Sequence, residues 1–244
     1  MNNFVTGFGY AFKGILLLNQ KGIRPFVVVP LLINCLLLVG VIWLGIHQFD
    51  IWIVRFMDWL PSFLSFLQPF FKIIFILVFV VILFYSFTTL ANLIAAPFNS
   101  LLAERIEQKL EGIPLPPFRG YKAIIGTIAR TIWSEIRKIL YFIKLVIFLL
   151  LLNLTPLAFA SPLFWGLFSI WMLVIEYADY PMGNHELLFK AEKKLLQKHR
   201  AMSLGLGSGI LVMSLIPILN FMTMPAGVAG GTLFWVESLS KEED

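Results

Sequence analysis

The sequence predicts an all-α integral membrane protein: two long transmembrane helices, two half-penetrating helical hairpins and an N-terminal amphipathic helix. Three observations lead there. Hydrophobic residues make up 59% of the 244 and charged residues 14%, with a mean hydropathy of +0.87, whereas about a quarter of a soluble domain is charged. Long uncharged apolar runs account for most of the chain. Two of them, 145–175 and 201–236, contain prolines near mid-length. Broken apolar segments are tolerated at membrane depth only when protein covers them or they line a polar path. The pattern points to transport.

Taken in order, Phe4, Phe8 and Phe12 recur at i, i+4 and i+8 beside Lys13, predicting an amphipathic helix over 1–20 lying at the interface. No cationic stretch precedes its apolar residues and no small-residue cleavage site follows, so a cleavable signal is not expected. The first spanning helix covers 25–46, with Lys13, Lys21 and Arg24 before it. The stretch 47–72 carries only Arg55 and Lys72 as cations, with Asp50 and Asp58, and Trp43, Trp52 and Trp59 suit a membrane–water boundary. The second spanning helix covers 73–103 and continues toward Gly112.

Residues 104–144 form a basic helical region with Arg105, Lys109, Arg119, Lys122, Arg130, Arg137, Lys138 and Lys144. Cytoplasmic segments are enriched in Lys and Arg, which puts the N-terminus and this region inside. Residues 176–203 hold Lys190, Lys193, Lys194, Lys198 and Arg200. If 145–175 crossed fully, these would lie outside. About 11 apolar residues precede Thr155-Pro156 and about 15 follow Pro162, reaching roughly 16 and 22 Å, short of a hydrocarbon core of about 30 Å. The segment is therefore expected to enter and return. Segment 201–236 repeats the plan around Ile216-Pro217 and Met224-Pro225-Ala226-Gly227. The whole chain, 1–244, is then a single membrane domain. Four or more full crossings is the competing topology.

Lys21-Gly22-Ile23-Arg24-Pro25 opens the first span. Proline at the first helical turn needs no N–H partner, and glycine before it lets the chain turn. Free N–H groups, the positive end of the helix dipole and the Arg24 guanidinium together suit an anion. The same arginine would also anchor the helix at lipid headgroups. Asn34, Asn92, Asn153 and Asn220 each lie in a different apolar stretch. Amides in hydrocarbon must find partners, so the four are pore-lining candidates or interhelical hydrogen-bonders.

Glu104 and Arg105, and the Glu176-Tyr177-Ala178-Asp179-Tyr180-Pro181 run with His185, are candidates for a gate or polar network. The other reading of the first pair is a solvated helix face shared with their helix neighbour Lys109. The second group lacks the additional His or Cys of a metal signature, so no metal or cofactor is expected. Cys35 stands alone and forms no disulfide framework. Gly205-Leu206-Gly207-Ser208-Gly209 does not sit in a strand–turn–helix unit, and Gly205/Gly209 and Gly227/Gly231 fit close helix packing instead. No nucleophile elbow, HExxH or nucleic-acid-binding motif is present, so nucleic acid is not an expected partner.

The chain resembles the CysZ family of bacterial inner-membrane sulfate transporters over nearly its whole length. The resemblance rests on Gly22-Ile23-Arg24 with Pro30 and Asn34, on Ala96-Pro97-Phe98 through Leu102-Ala103-Glu104, and on Glu176 through Pro181 to His185. It extends to Ile216-Pro217, Asn220 and Pro225-Ala226-Gly227-Val228-Ala229-Gly230-Gly231-Thr232. It implies sulfate uptake across the bacterial inner membrane for cysteine synthesis, half-penetrating hairpins, and assembly as a dimer or larger homo-oligomer in the lipid bilayer. It assigns sulfate binding to Gly22, Ile23 and Arg24, with Ile23 where the family pattern has Leu. The expectation is a channel-like sulfate permease and no enzyme. A non-transporting scaffold, a proton-coupled anion carrier (Glu104 or Glu176 bearing the proton) and a membrane enzyme using Asp179 and His185 are the alternatives.

Overall fold

The computed structural model describes residues 4–112 and 121–242. Among them are eight α-helices and no strand. They are α1 (Phe4–Leu18), α2 (Pro25–Trp59), α3 (Gln68–Glu111), α4 (Tyr121–Leu152), α5 (Ser161–Asn184), α6 (Phe189–Lys198), α7 (Arg200–Leu215) and α8 (Pro217–Phe234). Part of the basic region, 113–120, lies outside the described residues, as do the side chains of Lys122 and Arg130. Phe26–Phe98 form one compact unit, and the other described residues form a second.

The first unit is α2 and most of α3. Pro25 starts α2 at a position where the missing N–H costs nothing. At 1.5 Å per residue the 35 residues of α2 and 44 of α3 reach roughly 52 and 66 Å. Each contains its predicted span and runs well past it. Stacked and edge-on rings (Phe49 on Phe75 and Phe79, Trp52 on Phe79, Phe56 on Phe75) join the two helices near the turn between them. Farther along, Gly45 admits the Leu83 side chain. The outward surfaces stay apolar: none of the most hydrophobic stretch of α2, and 6% of that of α3, is buried within the chain. Such surfaces suit lipid or another copy of the chain.

In the second unit α1 packs against α7 and α8, and α5 packs against the same pair. Small residues allow it. A Cβ added at Gly7 would collide with the Met202 main chain, one at Gly205 with that of Phe4, and one at Gly231 with that of Tyr177. The Gly205/Gly209 pair faces α1 and the Gly227/Gly231 pair faces α5, as their spacing suggested. The buried stripe of α1 is Gly7, Tyr10, Ala11, Gly14 and Leu18. Phe4, Phe8 and Phe12 stack on one another outside that stripe.

Two sequence expectations need correction. First, α4 continues unbroken from the basic region into the apolar run, so that arm is 32 residues and α5 is 24, roughly 48 and 36 Å. Uncharged residues alone understate both arms, because a helix does not stop where charge begins. Only the Thr155 turn and a short 3-10 helix, Pro156–Ala160, separate them. Thr155 stabilises the break by accepting the Leu157 N–H at 3.2 Å and donating to the Leu152 carbonyl at 2.8 Å. Second, the later segment breaks only at Ile216-Pro217. Pro225 lies inside continuous α8, where one lost hydrogen bond is offset by packing of the following glycines on α1 and α5. The helices α7 and α8, at 16 and 18 residues, reach roughly 24 and 27 Å.

Candidate functional site

The turn between α1 and α2 gathers the predicted anion residues. Gly22 takes φ +88°, which a residue with a Cβ adopts only with strain. Ile23 then points inward at 2% exposure, while Arg24 stays exposed. The N–H groups of Ile23 and Arg24 both donate to the Gln20 carbonyl, at 3.1 and 3.4 Å. These two amides close the turn, so they are less available to an anion than the sequence suggested. The guanidinium is positioned instead: Arg24 Nε donates to the Asn19 carbonyl at 2.6 Å. Its two terminal nitrogens have no partner among the described residues and form the planar fork that suits a tetrahedral oxyanion. Lys109, at the end of α3, donates to the Lys21 carbonyl at 3.2 Å and adds a second cation to this turn. Sequence reading placed Lys109 on a solvated face. Its partner lies 88 residues away, and no local spacing announces that.

The gate candidates separate into distinct pairs. His185 meets Glu107 at 2.6 Å, and the Trp235 indole N–H donates to the same carboxylate at 3.1 Å. The His185 and Trp235 rings lie 5.0 Å apart. Glu107, absent from the sequence candidates, is therefore the centre of a seam joining the end of α3 to α5 and the π-turn Trp235–Leu239. Asn99 and Tyr180 (3.3 Å) and Asn184 and the Ser100 carbonyl (2.9 Å) extend the seam. Arg105 donates to Gln108, and Glu104, with which it was grouped, is half-buried on α3.

Asp179 belongs to another network. Lys138 of α4, 6% exposed, lies 2.5 Å from Asp179 and 3.0 Å from Glu135. Glu192 of α6, 2% exposed, is buried within the electrostatic reach of Asp179. Burial pushes the Glu192 carboxyl up to about 10, the nearby Asp179 and Glu135 carboxylates add to this, and Lys138 opposes it. Glu176 is exposed on α5. With Asp179 held by Lys138 and His185 by Glu107, the two candidates for acid–base chemistry go to different partners.

Asn34 and Asn92 lie in the α2–α3 unit, and Asn153 and Asn220 lie at the two breaks of the other. Asn34 Oδ1 is buried without a hydrogen-bond partner among the described residues. Asn92 and Asn220 are exposed, as is Asn153, whose amide donates to the Leu149 carbonyl at 3.0 Å.

Residues 10–225 match the family described as "Sulfate transporter CysZ/Etoposide-induced protein 2.4". The chain belongs to this family. It is 39% identical over 234 residues to a sulfate transporter CysZ from Pseudomonas syringae pv. tomato, covering 95% of this chain and 92% of that protein. A sulfate transporter CysZ from Pseudomonas fluorescens is 40% identical over 240 residues, covering 98% and 96%. One from Pectobacterium atrosepticum is 38% identical over 234 residues, covering 95% and 85%. CysZ membership and three helices of spanning length and hydropathy make this a multi-pass membrane protein.

Proposed function

We propose that the chain carries sulfate across the bacterial inner membrane into the cytoplasm, supplying sulfur for cysteine synthesis. Its family membership over nearly the whole length carries this reading. The Arg24 turn supports it in chemical terms, offering an exposed, positioned guanidinium and a nearby ammonium to a dianion. Conduction is channel-like: capture must be strong enough for entry and weak enough for release. The asparagines replace part of the ion's hydration along the route, and a homo-oligomer completes it. The exposed amides of Asn92 and Asn220, costly against lipid, favour assembly of several copies. Basic residues on both sides of 145–175 support a hairpin that enters and returns, and 201–236 follows the same plan.

Radiolabelled sulfate flux into proteoliposomes tests the function directly. Saturable uptake that protein-free vesicles lack is expected. Uptake independent of an imposed pH gradient identifies a channel, and uptake that requires one identifies the proton-coupled carrier. Sulfate-impermeable proteoliposomes containing folded protein would leave only the scaffold reading.

A further inference from the structure

Helices α4 and α6 of the second unit enclose two adjoining clefts of about 360 and 560 Å³, which share Arg137 and Lys190. Five cations line them: Arg137, Lys144, Lys190, Lys193 and Lys194. Among the described residues, no acidic one does. The acids described on the same helices do not face the clefts: Glu135 pairs with Lys138, and Glu192 is buried at 2% exposure. Aromatic faces hold two of the cations in place. Lys193 Nζ sits 4.6 Å from the Tyr141 ring centre and 5.5 Å from that of Phe189, and the Arg137 guanidinium lies 5.4 Å from the Trp133 ring. Cations fixed in this way lose less freedom when they bind an anion. The start of α6 is fixed as well, since the Phe189 N–H donates to Ser134 of α4 at 2.8 Å.

The surroundings are apolar. Along α4 from the cleft toward the break, Leu140, Ile143, Ile147 and Phe148 are each about half exposed. The site therefore joins a cluster of cations to a greasy track on one helix. That combination matches an amphiphile: a phosphate for the cations, acyl chains for the track. A free anion would satisfy only the first part and would give up hydration against carbon walls. We propose that the α4–α6 cleft binds the headgroup of an anionic phospholipid, with its acyl chains lying along α4. Positive residues at a membrane face attract anionic headgroups in this manner. The predicted cytoplasmic placement of this basic region puts the cleft at headgroup level. Bound lipid then ties α6 to α4 at the mouth of the first hairpin.

Full-length protein in detergent, titrated with phosphatidylglycerol or phosphatidylcholine and read by native mass spectrometry, tests this. Phosphatidylglycerol should bind preferentially. Each removed cation should weaken it about fivefold, so Lys190→Gln, Lys193→Gln and Lys194→Gln together should weaken it roughly 100-fold. The corresponding triple Arg variant should retain binding, and Lys72→Gln, outside the cleft, should leave it unchanged. If the triple Gln variant fails to fold, exposed Lys194→Gln alone should still show the fivefold loss. Equal binding of both lipids, or a folded cleft variant with wild-type binding, overturns the proposal. Displacement of the lipid by inorganic sulfate or phosphate also overturns it, assigning the cleft to a free anion.

Discussion

Arg24 owes its position to the glycine two places before it. The +88° backbone of Gly22 turns Ile23 into the core and Arg24 out, and the Asn19 carbonyl orients the guanidinium. Hydrogen bonds to charged groups contribute roughly 1.5–3 kcal/mol. Arg24→Ala should therefore weaken sulfate binding by about 10- to 150-fold, since about 1.4 kcal/mol is tenfold. Arg24→Lys should recover part of this, keeping the charge without the fork. Calorimetry on folded, detergent-purified protein reads the difference, and unchanged binding in the alanine variant removes Arg24 from the site. Glu192 poses a separate question at the same scale. Its carboxyl, ordinarily near 4.5, is raised to about 10 in the fold. The folded state thus holds a proton that the unfolded chain releases. Its contribution is fully present below the unfolded value and is lost as pH rises through the window from about 4.5 to about 10. Thermal unfolding across that range should show stability falling as pH rises, by at most about 1.4 kcal/mol per unit for one proton. Glu192→Gln keeps a neutral side chain and should flatten the slope; an equally steep slope in the variant assigns it to other groups.

Among the elements, α1 tests most clearly how the second unit is held together. Its Phe4, Phe8, Phe12 spacing was readable as an amphipathic stripe, but the face that meets α7 and α8 is the small-residue one. A Cβ at Gly14 would meet the Ala226 carbonyl and the Gly230 nitrogen, both main-chain atoms that cannot swing aside, while one at Gly9 meets nothing within 4 Å. Gly14→Ala should cost about 1–3 kcal/mol by overpacking. Gly9→Ala should be neutral or stabilising by up to about 1 kcal/mol, because alanine favours a helix. Thermal unfolding of the two variants compares them, and the reverse order would show that α1 does not pack as described. The prolines were harder to read. Pro217 starts a helix and Pro225 sits within the same one, and no local property distinguishes them.

For the whole molecule, topology is the property that charge predicts and helix length alone does not decide. With α4 at 32 residues and α5 at 24, the first hairpin has arms long enough to go deeper than its uncharged residues suggested. Basic residues on both sides of 145–175 still argue that both ends lie inside. Single cysteines replacing Lys144 or Lys190, with Cys35 removed, should react with an impermeant maleimide from the same side of oriented vesicles. Labelling from opposite sides makes 145–175 a full crossing. Membrane character, the two long helices, the all-α class of the described residues and the place of the Arg24 turn were all present in hydropathy, proline positions and the Gly22-Ile23-Arg24 motif, because these are local properties. The partners were not. Glu107 with His185 and Trp235, Lys138 with Asp179 and Glu192, and Lys109 with the Lys21 carbonyl join residues far apart in the chain. Which polar groups meet depends on how α1, α5, α7 and α8 pack through their glycines, and a one-dimensional pattern does not carry the relative rotation of packed helices.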